Sequence, residues 1–129
     1  MASELSSVFA KLRQILELHA HDFPISRATA RHYELEATVG AATLQAWGGK
    51  QKRPRIPVAW VSIEKSYVSY HLMGLAHPRV RGSLSSRLAD RMQGKTCFNF
   101  KAEDPELLKE LEAATAMSLA SLRDEGFIA

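Results

Sequence analysis

The 129-residue chain has one cysteine, Cys97, so it forms no internal disulfide, and its core must hold without covalent staples. It has no apolar run long enough to span a bilayer, which removes a membrane partner from the expectation. The first residues, Met1 to Ser7, lack the basic-then-apolar layout of a signal peptide, and with the lone thiol this predicts a cytoplasmic location. Charge of one sign is also scarce: the net charge is +3, and no dense basic stripe marks a nucleic-acid binder. Gly48-Gly-Lys50 lacks both the spacing and the following Ser/Thr of a phosphate loop. His19, His21, His32, His71 and His77 are scattered, and positions two apart on a helix point away from each other, so no preformed zinc site is expected.

What is present is an ordinary globular composition, 46% hydrophobic and 24% charged, over a length that suits one domain, residues 1–129. Residues 4–21 carry Val8, Leu12, Ile15, Leu16 and His19 at helical spacing, with Ser3 as the expected cap and Asp22-Phe-Pro24 as the stop. Residues 32–39 alternate, Tyr33, Leu35, Ala37 and Val39 against Glu34, Glu36 and Thr38. After Gly40, residues 42–47 read as a returning strand with Leu44 on the side of Tyr33 and Leu35. Residues 48–57, with two glycines, two prolines and the cations Lys50, Lys52, Arg53 and Arg55, read as a mobile hairpin loop.

Strands follow at 58–65 and 67–73, joined by a tight turn at Lys65-Ser66. Val61, Ile63, Val68, Tyr70 and Leu72 share one face; Trp60, Ser62, Glu64, Tyr67, Ser69 and His71 share the other. Leu84, Leu88 and Met92, spaced by four, predict helix within 78–93, capped by Ser83 or Ser85 and ended by Gly94. In the strand expected at 95–101, Phe98 and Phe100 oppose Cys97, Asn99 and Lys101. The last helix is marked by Asp104 as N-cap, Pro105 at its first position, an inward stripe of Leu108, Leu111, Thr115, Leu119 and Leu122, and Gly126 as stop. The fold class is therefore α+β: a two-layer sandwich with a largely antiparallel sheet of about five strands and the N- and C-terminal helices on one face.

The face left open would carry Glu34, Glu36, Gln45, Trp47, Trp60, Glu64, Tyr67, His71, Cys97 and Asn99. Aromatics beside carboxylates, an imidazole and a thiol can build a ligand platform. Trp60, Glu64, Tyr67, His71, Cys97 and Asn99 are the candidate ligand-binding residues. Glu34 and Glu36 as oxygen donors and His71 as a nitrogen donor are the candidate metal ligands. No paired acid/base constellation and no cofactor fingerprint is present, so no catalytic residue is assigned and a non-enzymatic binding domain is favoured, with a small molecule or metal ion as its partner. Two other readings stand beside it: an enzyme using Cys97 with His71 as base, and a homodimeric interaction module burying Trp47 and Trp60. Nucleic acid is expected to bind only weakly and salt-sensitively, through Lys50, Lys52, Arg53 and Arg55.

Two segments also carry a resemblance. Tyr67-Val-Ser-Tyr-His-Leu-Met73 with Arg91-Met-Gln-Gly-Lys-Thr-Cys-Phe-Asn-Phe-Lys101 resembles the YdhG-like family of domains of unknown function, over roughly residues 8–125. The resemblance implies a small cytoplasmic sandwich of frataxin-like kind, and a role in handling iron.

Overall fold

The computed structural model describes residues 2–129, with side chains from residue 4 onward. Six strands lie in one sheet in the order β1 (Ile25–Ala28), β2 (His32–Thr38), β3 (Arg55–Ile63), β4 (Val68–Leu72), β6 (Cys97–Phe100) and β5 (Met92–Gln93), and every neighbouring pair is antiparallel. The long helices α1 (Ala2–Glu17) and α5 (Pro105–Asp124) open and close the fold. The expected cap of α1, Ser3, has its side chain outside the described residues.

The two helices bury the stripes their periodicity supplies. Leu5, Val8, Phe9, Leu12, Ile15 and Leu16 of α1 meet Leu107, Leu111, Ala114 and Leu122 of α5 over one sheet face. That face presents Tyr33, Leu35, Val61, Val68, Tyr70, Leu72, Phe98 and Phe100, all buried in the same core. Ile63 and Leu108, expected in the core, lie at its margin, partly buried. The α5 caps are as expected: Asp104 accepts a hydrogen bond from the Leu107 N–H at 3.3 Å. At the other end Gly126 takes φ +79° as the chain leaves the helix.

Several expectations give way. Residues 42–47 form no strand; Ala41–Ala46 is the short helix α2, and Leu44 sits on it rather than on the sheet. The run Ala-Ala-Thr-Leu-Gln-Ala is rich in helix formers, the strand that returns beside β2 is β3, and just past β2 Val39 makes an isolated bridge with Ile128 near the chain end. Gly40 permits that approach, because a Cβ there would lie 2.2 Å from the Gly126 carbonyl oxygen. The sheet has six strands, not about five. β1 adds an edge and β5 another. Met92 belongs to β5, so the helical stretch expected at 78–93 shrinks to α3 (Pro78–Gly82) and α4 (Ser86–Ala89), preceded by a 3-10 turn at Met73–Ala76. Ser85, not Ser83, caps α4 by accepting from the Leu88 N–H. Gly94, at φ +76°, turns the chain between β5 and β6 instead of ending a helix. The basic loop is shorter than expected, since Arg55–Pro57 already pair with β2.

Candidate functional site

The face away from α1 and α5 is ordered by strand register. Arg27 pairs with Glu34, Glu34 with Trp60, Trp60 with His71, His71 with Cys97, and Cys97 with Gln93, so one row of side chains crosses all six strands. A second row runs His32, Ser62, Ser69, Asn99. Glu64 and Tyr67 close the β3–β4 hairpin, the Glu64 N–H donating to the Tyr67 carbonyl at 2.8 Å.

Trp60 and His71 stack, ring centroids 4.5 Å apart and planes 13° from parallel. On the next strand the Cys97 sulfur lies 3.5 Å from His71 Nε2 and 3.6 Å from Asn99 Oδ1. Cross-strand neighbours on one face fall at such separations by the geometry of the sheet, without a loop to arrange them. The electrostatics of the pair work against charge. Burial pushes the Cys97 thiol above its ordinary value, Glu64 adds to this, and a backbone hydrogen bond at Tyr70 acts the other way. Burial lowers the His71 imidazole, aided by His32 and opposed by Glu64. Near neutral pH the pair is therefore a thiol against a neutral ring, not a thiolate–imidazolium pair.

Four of the six candidate ligand residues, Trp60, His71, Cys97 and Asn99, thus form one patch, with Glu64 and Tyr67 at the hairpin end of the same face. The candidate metal ligands are not gathered. Trp60 stands between Glu34 and His71, and the Glu34 carboxylate is held by Ser26 Oγ at 2.8 Å and His32 Nε2 at 3.1 Å. Glu36 pairs with Pro57, beyond a register shift in β3. Among the described residues, no group of three or more His, Cys, Asp and Glu is placed to hold a metal ion. His19 and His21 follow the end of α1 in a turn and belong to no such group either.

Trp47 and Gln45, expected on this face, are not on the sheet. Trp47 follows α2 and lines a cavity at the end of the sandwich with Ile56, Met73 and Phe127, so the two tryptophans occupy different surfaces. That cavity has no signature in the sequence, because its walls come from segments far apart along the chain. Of the exposed cations Lys50, Lys52, Arg53 and Arg55, Arg53 lines it and Lys52 stands over the Trp47 ring. Among the described residues no helix is long and apolar enough to cross a membrane. No family model, curated protein or solved structure matches the chain.

Proposed function

We propose that this protein is a small, non-catalytic binding domain that receives its ligand on the open sheet face, around Trp60, Glu64, Tyr67, His71, Cys97 and Asn99. The observation that carries the reading is the Trp60–His71 stack beside Cys97, an aromatic platform with an imidazole and a thiol on adjacent strands. A nucleophilic cysteine needs a depressed thiol pKa; here burial raises it and leaves the neighbouring imidazole neutral, which suits binding better than catalysis. The two segments that resemble YdhG-like domains supply Tyr67, His71, Cys97 and Asn99, so the resemblance falls on the same patch. A cytoplasmic setting fits the reduced thiol.

A second reading rests on the 3.5 Å contact between Cys97 and His71, the separation a cysteine nucleophile and its base would have. Alkylation by iodoacetamide as a function of pH separates the two. The binding reading expects a rate that climbs only above the ordinary thiol range of about 8.5. A rate already at its plateau near pH 6 overturns it in favour of the enzyme. Titration of the protein with zinc(II), iron(II) and a panel of aromatic heterocycles, followed by backbone amide NMR, tests the site itself. Saturable shifts at residues 60–71 and 95–99 are expected. A spectrum unmoved there by every probe overturns the assignment.

A further inference from the structure

The end cavity has the form of a second, separate binding site. It measures about 500 Å3, within the range of small-molecule sites. Its walls are apolar: Trp47, Ile56, Met73, Leu122 and Phe127. Met73 and Phe127 keep 39% and 43% of their surface exposed, two of the five large apolar side chains exposed among the described residues, and these two lie together in one lining. The floor is stiff. Gly74 of the 3-10 turn lies so close to α5 that a Cβ would fall 2.4 Å from the Ser118 carbonyl oxygen, and its N–H donates to Ser118 Oγ at 3.0 Å.

The polar groups around the cavity divide into occupied and free. Thr43 Oγ1 donates to the Phe127 carbonyl at 2.6 Å. His77 Nδ1 accepts the Arg79 N–H, so the ring carries its proton on Nε2 and donates it to Glu125 at 2.8 Å. The one carboxylate of the lining is therefore engaged. Arg53, also in the lining, has no ion-pair partner among the described residues. The Lys52 ammonium stands 5.9 Å from the centre of the Trp47 ring, adding a second positive charge at the mouth. Beside a neutral imidazole Glu125 keeps its negative charge, so Arg53 and Lys52 together exceed it by one; an apolar interior with that positive surplus suits a ligand with an apolar body and one negative head, whereas a neutral one would leave the guanidinium unused.

We propose that the end cavity binds a small monocarboxylate with an apolar body, of the medium-chain or aryl-alkanoic class, its chain against Trp47, Met73 and Phe127 and its carboxylate on Arg53. The site shares no residue with the sheet-face patch, so one spectrum reads both independently. Decanoate, decanol and decyltrimethylammonium serve as probes in 15N NMR titrations of the full chain. Decanoate is expected to give saturable shifts at the Trp47 indole N–H and at the amides of Met73, Gly74 and Phe127. Decanol should bind about fivefold more weakly and the cation more weakly still, as befits an ion pair at an exposed mouth. Arg53→Gln, a change at an exposed loop position, should weaken decanoate by about the same fivefold factor and leave decanol unchanged. Absence of saturable decanoate shifts at these four residues, or an Arg53→Gln variant that binds decanoate as well as the natural protein, overturns the proposal.

Discussion

The hydroxyl of Tyr70 lies fully buried in β4, 2.6 Å from Thr115 Oγ1 of α5, and Thr115 itself donates to the Leu111 carbonyl at 2.8 Å. A hydroxyl has one proton, so Thr115 directs its own to the helix and Tyr70 is the donor across the interface. The bond ties β4 to α5 across the core. Tyr70→Phe removes the donor and leaves Thr115 bonded to Leu111, a loss of about 1 kcal/mol. Thr115→Val keeps the shape but strands the phenol, buried without a partner, at about 2–3 kcal/mol. In the double variant neither polar group remains, so the loss should fall below the sum of the singles by about 1–2 kcal/mol. Urea denaturation reads all three, with midpoints displaced and slopes unchanged. Singles that add to within about 0.5 kcal/mol would refute the bond as an energetic unit. A pH arm is independent. Burial raises the Tyr70 phenol far above its ordinary value of 10.0, with the Thr115 bond opposing and Glu112 assisting. The folded chain then keeps a proton that the unfolded chain loses, so stability falls as pH rises through about 10. Tyr70→Phe should flatten that fall, leaving the smaller share of Tyr33, whose pKa is also raised, chiefly by burial.

The acid side runs the opposite way: His71 and His19 are both lowered from 6.5, chiefly by burial, so the unfolded chain binds protons the folded chain refuses. Stability should decline as pH drops through 6.5, and His71→Gln should reduce that slope in thermal melts recorded from pH 7 to 5. Gly74→Ala drives a Cβ to 2.4 Å from a backbone oxygen that cannot swing aside, so it should cost about 2–3 kcal/mol in denaturant melts, and adding Ser118→Ala should not rescue it. Asp104→Ala loses the N-cap of α5 and the contact with Arg87 at 2.6 Å, a cost of about 1 kcal/mol readable in the same melts.

The elements legible from sequence are those in which burial alternates with the backbone period. β3, β4 and β6 each have one face on the core, so Val61, Tyr70 and Phe98 declared their side, and Trp60, His71 and Cys97 fell by parity onto the other. α5 carried capping residues at both ends. β1 gave no such signal, because all four of its residues are exposed and only hydrogen bonding to β2 makes it a strand. β5 is two residues long, below the length at which a period can be read. α2 has a single large apolar residue, Leu44, which fits strand and helix alike, and only the helix-forming composition around it distinguishes the two.

The boundary between the two proposed sites is itself a local event in one strand. Ala59 pairs with Leu35 and Pro57 with Glu36, so Val58 is an extra residue in β3. Counting back by twos from Val61 and Ala59 would send Pro57 into the core and Ile56 onto the open face. The bulge changes this: Val58 and Ala59 are both buried, Pro57 opposes Glu36, Ile56 opposes Ala37, and both Ile56 and Pro57 line the end cavity. A bulge bends its strand and raises the local twist. Here it separates the pairing that carries Trp60 from Ile56 and Pro57, which line the cavity with Trp47. Alternation cannot reveal a bulge, since two consecutive apolar residues also occur in strands that have none. For that reason the sheet-face patch could be read from spacing, whereas the cavity required the fold.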